Sequence, residues 1–126
     1  IRDDDSVYHS FRVDLKTGAP VGGDNYCGRA VESHWARGTT WAMYGFAIAY
    51  RHTGDERYLD ASLRVTRKFI SLLDDEVVPV WDFRLKEGEP PLRDSSAAAI
   101  AGLAAQAGSI KRSSMDERVP DVDGGP

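Results

Sequence analysis

Apolar side chains change their rhythm several times along the chain. Residues 7–13 (Val-Tyr-His-Ser-Phe-Arg-Val) alternate imperfectly between larger apolar and polar positions, and their aromatic and β-branched content predicts a short strand. The stretch 14–23 holds Thr17-Gly18, Pro20 and Gly22-Gly23, which reads as a turn followed by a loop, so a hairpin arm is expected. No period shows from 24 to 32. From 33 to about 51 the chain is helical in length but apolar nearly all round. Trp35, Trp41, Met43, Tyr44, Phe46 and Ile48 leave no polar stripe, and a helix apolar on every face must be enclosed by protein.

Thr53-Gly54-Asp55 then punctuates. Gly54 suits the left-handed position after a helix, and Asp55 suits the N-cap of the next. The segment 56–74 repeats Leu59, Leu63, Thr66, Ile70 and Leu73 at spacings of three and four, with Val65 and Phe69 beside them and Arg57, Arg64, Arg67 and Lys68 opposite. It predicts an amphipathic helix. A loop is expected from about 75 to 93. Asp94-Ser95-Ser96 offers N-cap chemistry, and 97–105 reads as a third helix of small residues without a polar face.

Enclosed, amphipathic, enclosed: a double ring of helices produces that alternation, its inner members covered on all sides and its outer ones wet on one face. A ring of six hairpins needs about twelve helices, roughly 300 residues or more. Three helices can bury a small core but cannot close such a ring. The fold class expected is therefore mainly α, with a short N-terminal β-hairpin arm.

Composition narrows the function classes. At 126 residues the chain holds one domain at most. Sixteen Lys and Arg against twenty Asp and Glu leave a net charge of −4, which argues against nucleic-acid and anionic-membrane partners. No apolar run is long enough to span a bilayer. Cys27 stands alone, so no internal disulfide framework is expected, and a reducing, cytoplasmic location is the corresponding expectation. His9, His34 and His52 show no metal-ligand spacing, and no phosphate loop stands out, so neither metal nor cofactor is expected. The N-terminus, Ile1-Arg2-Asp3-Asp4-Asp5, lacks a starting Met and a signal sequence and reads as the middle of something longer.

Four strings carry chemistry only when taken together. These are 33–46 (Ser-His-Trp-Ala-Arg-Gly-Thr-Thr-Trp-Ala-Met-Tyr-Gly-Phe), Thr53-Gly54-Asp55, 78–83 (Val-Pro-Val-Trp-Asp-Phe) and 93–101 (Arg-Asp-Ser-Ser-Ala-Ala-Ala-Ile-Ala). In this order and spacing they resemble the unsaturated glucuronyl hydrolases, glycoside hydrolase family 88, over residues about 7–103. The resemblance implies an (α/α)6 toroid, in agreement with the alternation above. Residues 1–105 would be the middle segment of that domain, and 106–126 a disordered or divergent tail. It also implies an unusual glycosidase, acting on the unsaturated uronic acid at the non-reducing end of lyase-generated oligosaccharides. Such enzymes hydrate the vinyl ether of the ring. An Asp protonates the double bond, water adds, and the hemiketal opens to release the next sugar, unlike the usual two-carboxylate displacement.

The same resemblance assigns residues. His9 falls where the family places an active-site histidine, and Arg37 and Trp41 match its substrate-side arginine and tryptophan. Read without it, His9 is a strand residue, Arg37 a surface or ion-pair residue and Trp41 a core residue. Four apart, Arg37 and Trp41 share one helical face. Thr39 and Cys27 stand where the family usually carries Gln, and the second bears on a polar contact to the sugar. The family's catalytic Asp and a second active-site Asp lie upstream of the hairpin arm, before Ile1. Asp82 and Asp94 have structural readings instead: loop fixation through backbone amides for Asp82, and the cap of the third helix for Asp94, with Arg93 as an ion-pair or loop contact. The alternative function is a noncatalytic helical binding fragment or an inactive truncated gene product.

Overall fold

The computed structural model describes residues 1–116. Its elements run β1 (Ser10–Val13), β2 (Pro20–Asp24), α1 (Ala36–Thr53), α2 (Glu56–Ser71) and α3 (Ser95–Asp116). The strands pair antiparallel, Ser10 against Asp24 and Arg12 against Gly22, with an irregularity between Arg12 and Val13. The turn forms because the Asp14 carboxylate accepts from the amides of Lys16 and Thr17 at 2.9 and 2.8 Å. The arm expected from the sequence is present, and β2 occupies part of the stretch read as loop.

Helices α1 and α2 form a hairpin hinged at Gly54 and Asp55. Gly54 closes α1 with φ +73°, its amide donating to the Tyr50 carbonyl at 2.8 Å. Asp55 opens α2 by accepting the Arg57 amide at 3.0 Å. Both roles follow the sequence reading. Ala36, Thr40, Met43, Ala47 and Tyr50 are the buried seam of α1, at alternating spacings of four and three. The seam meets α2 at Ser62, whose hydroxyl donates to the Met43 carbonyl at 3.0 Å. The core comprises Val7, Met43, Val65, Phe69 and Ala104.

Two features differ from expectation. The buried face of α2 centres on Ser62, Val65 and Phe69, while Leu63 and Ile70 lie exposed beside it. Likewise α1 is covered by α2 and α3 but leaves Trp41 exposed. An inner helix of a double ring needs neighbours all round, and the described residues supply two. An apolar groove of about 270 Å³ stays open among α1, α2 and α3, lined by Met43, Phe69, Ile70, Leu73 and Ala101. Helix α3 also runs past the expected end at 105, in keeping with the helix formers Gln106 and Ala107. The rest of the segment read as tail, 117–126, lies outside the described residues.

The loop before α3 is stitched rather than loose. Asp82, fully buried, accepts the backbone amides of His34 and Arg84 at 3.0 Å and of Arg29 at 3.3 Å. The Ala36 amide donates to the Trp81 carbonyl, and the Phe83 amide to the His34 carbonyl. Arg93 pairs with Asp74 at 2.7 Å and also donates to the Val78 carbonyl. From the N-terminal side, Arg2 donates to the carbonyls of Glu32, Val7 and Ser33, and Arg84 to that of Glu32 and to Asp4. The segment entering α1 is therefore clamped from two directions.

Two predictions follow from this packing. Asp82→Ala leaves three amides without their acceptor, each costing about 1–3 kcal/mol. Denaturant unfolding should show a loss of several kcal/mol, larger than for Asp14→Ala at the exposed turn. The second concerns His34, buried against Phe83. Burial, helped by the nearby Arg84, pulls its imidazole down from 6.5 to about 4. The unfolded chain thus takes up a proton that the folded chain refuses, so stability is complete above about pH 6.5 and falls as the pH drops towards 4. The loss approaches about 3 kcal/mol. Unfolding measured at pH 7 and 4.5 should show this slope, and His34→Gln should flatten it.

Candidate sugar-binding site

The arm and the first turns of α1 meet at Trp35, the residue just before the helix. The ring of His9 lies 4.9 Å from that of Trp35, edge-on, and 4.7 Å from that of Tyr26. Gly38 permits the approach, since a Cβ there would stand 2.7 Å from the Trp35 ring and 2.8 Å from the His9 Cβ. On the other side the Arg37 guanidinium sits 5.7 Å from the Trp35 ring centroid, a cation–π contact. Trp41, one turn further along α1, is 53% exposed, with its ring edge-on to Tyr44.

Asn25 sets the chemistry of His9. Its side-chain amide nitrogen donates to the carbonyls of Val31 and Ser33, at 2.8 and 3.0 Å. The amide oxygen must therefore face His9, where it lies 3.0 Å from the backbone nitrogen and 3.3 Å from Nδ1. An oxygen there calls for a proton on Nδ1. In the neutral ring Nε2 is then the acceptor, and it is buried without a partner among the described residues. That nitrogen is an acceptor held inside the fold with its lone pair unused by the described residues.

Arg37 has a protein partner that the sequence did not announce. Its Nε donates to Asp94 Oδ2 at 3.1 Å, and Nη2 forms an ion pair with the same oxygen at 3.0 Å. The other Asp94 oxygen caps α3, accepting the Ala97 amide at 3.1 Å and the Ser96 hydroxyl. Burial works to raise the Asp94 carboxyl, but the bonds from Ser96, Ala97 and Arg37 outweigh it and hold its pKa below the usual carboxylate value. Asp94 is thus the cap foreseen from the sequence and, in addition, the counterion of Arg37. Asp82 holds backbone amides, also as foreseen.

Of the three residues singled out, His9 and Arg37 are joined through Trp35, and Trp41 extends the same face of α1. The sequence reading gave no role to Trp35, Tyr26 or Asn25. For Trp35 the signal was its place in the quoted 33–46 string, where it read as part of an enclosed helix. Thr39 turns its hydroxyl to the Trp35 carbonyl at 2.9 Å and is buried. Cys27 is exposed beside Tyr26. Among the described residues no cluster of His, Cys, Asp and Glu could hold a metal, and no helix is long and apolar enough to cross a membrane.

No family model matches the chain. Individual relatives do. The chain is 43% identical over 101 residues to an unsaturated chondroitin disaccharide hydrolase of Streptococcus pneumoniae; the match takes in 80% of this chain and 26% of that protein. The fold superposes on the crystal structure of the unsaturated glucuronyl hydrolase of Bacillus sp. GL1, responsible for degradation of glycosaminoglycan, with a TM-score of 0.80 at 31% identity. That match covers 98% of this chain and 31% of the other. A variant of the Streptococcus agalactiae enzyme, solved as a complex with dGlcA-GalNAc6S, matches with a TM-score of 0.67 at 32% identity, over 98% and 31% of the two chains. On sequence and fold together, the chain belongs to the unsaturated glucuronyl hydrolases, spanning about a quarter of the length of the relatives it matches.

Proposed function

We propose that this chain forms one wall of the sugar site of an enzyme that hydrates the double bond of unsaturated uronic acids on lyase-generated oligosaccharides. The observation that carries the reading is the joining, through Trp35, of an unpartnered His9 Nε2 to a half-exposed Arg37, with the exposed Trp41 one turn on. An imidazole acceptor, a guanidinium with free N–H groups and an open indole face are what a hydroxyl-rich ring can use. The complex of the Streptococcus agalactiae relative with dGlcA-GalNAc6S supports the same ligand class.

In this reading the double bond gains a proton at one carbon and water adds at the other. The resulting hemiketal opens, breaking the bond to the next sugar, which leaves as the alcohol. His9 and Arg37 orient the sugar, and Trp41 stacks on a ring. The proton donor comes from a segment other than this one, because the carboxylates that the motifs carry are committed. Asp82 serves backbone amides, and Asp94 serves a helix cap and Arg37.

In the full-length protein, unsaturated disaccharides should lose their double-bond ultraviolet absorbance. His9→Ala should lower kcat/KM by roughly tenfold to a hundredfold through the lost hydrogen bond, and Trp41→Ala by about tenfold through KM. No loss of absorbance across a panel of such disaccharides would sink the reading. The chain of residues 1–126 by itself should turn over none of them, since binding without a proton donor gives no selective stabilisation of the transition state. Turnover by that chain, abolished in Asp82→Asn or Asp94→Asn, would move the acid into this segment.

A further inference from the structure

Arg37 and Asp94 stand 57 residues apart in sequence and meet where the first turns of α1 and α3 come together. The Asp94 side chain is only 4% exposed, and its two oxygens have separate tasks. Oδ1 is anchored to α3 through the Ala97 amide and the Ser96 hydroxyl. Oδ2 alone faces Arg37, accepting from Nε at 3.1 Å and lying 3.0 Å from Nη2 in an ion pair. A carboxylate tied down through one oxygen presents the other at a fixed point. A guanidinium is planar with five N–H donors, so occupying the Nε–Nη2 edge also fixes where the opposite edge points. Arg37 nevertheless stays 45% exposed.

We infer that Asp94 is a positioning residue for substrate recognition. It grips the inner edge of the Arg37 guanidinium and so presents the outer edge to a sugar oxygen, carboxylate or sulfate beside Trp41. The inference rests on the sugar-site reading above. A long flexible side chain held in its binding geometry loses less freedom when ligand arrives. Asp94 touches no ligand itself; its effect passes through Arg37. Helix α3 thereby enters the site without contributing a residue that contacts the sugar.

Asp94→Asn separates the two tasks. Asn caps helices about as well as Asp, but with its single oxygen on the Ala97 amide it turns an NH2 group towards the Arg37 donors. In the full-length protein the expected result is a roughly tenfold rise in KM for an unsaturated disaccharide, with kcat within about twofold of the parent. Combined with Arg37→Ala, Asp94→Asn should leave the residual kcat/KM unchanged. A purely structural Asp94 would instead reduce the active fraction, lowering apparent kcat at constant KM. That outcome, or full additivity with Arg37→Ala, overturns the inference.

A second measurement needs no substrate. In protein labelled with 15N-arginine, the Arg37 Nε–H should exchange slowly with solvent, and Asp94→Asn should abolish that protection. Rapid exchange in the parent protein overturns the inference whether or not sugar is turned over. Slow exchange in a protein that hydrates no disaccharide leaves the ion pair standing, but removes the sugar-site reading and the positioning role with it.

Discussion

The buried carboxylate of Asp82 is the constraint on which the rest of this structure depends. A charge with no exposure is tolerable only when hydrogen bonds replace water, and here three backbone amides do so. Those amides come from Arg29, His34 and Arg84, in two segments with no regular structure of their own. Joining them sets the backbone at 34–36, and Trp81 and Phe83 add their own bonds to it. Trp35 then has a defined position before α1 begins, and the contacts of His9 and Arg37 are both built on it. A polar interaction inside a loop thus fixes aromatic geometry at the start of a helix.

The packed core and the candidate site draw on different parts of the three helices. The apolar seam of α1 and the faces of Val65, Phe69 and Ala104 hold the bundle together. The site lies instead at the N-terminal turns of α1 and α3, where polar groups converge. Small residues make this meeting feasible: Gly38 admits the arm, and fully buried Ala36 and Ala97 sit in the first turns of the two helices. Exposed Trp41 and Ile70, together with the open groove, mark faces that two neighbouring helices do not cover.

Local chemistry was the part of this molecule legible in its sequence. The left-handed Gly54, the Asp55 cap and the Asp94 cap each depend on residues within a few positions, and each could be read directly. The double-ring architecture was legible too, because its alternation of enclosed and amphipathic helices survives in a short stretch. What escaped was set by contacts between distant segments. Ile70 has the spacing of a core residue, but the groove beside it is open. Asn25 carries no periodic signal, and its importance comes from carbonyls at 31 and 33 that fold back onto it. The pairing of Arg37 with Asp94 joins two helices whose relative placement no spacing rule contains.

The Asn25 amide gives the surroundings of Trp35 a polarity sense. Its nitrogen is held by two carbonyls of the segment that Arg2 and Arg84 clamp, so its oxygen cannot turn away and the His9 proton stays on Nδ1. While the ring is neutral, the buried Nε2 offers a lone pair and nothing else. It welcomes a hydroxyl or a water molecule and repels a carboxylate. Arg37, a donor on every free edge, has the opposite preference. The two side chains flank one tryptophan with contrary appetites, a buried acceptor on one side and a half-exposed donor on the other.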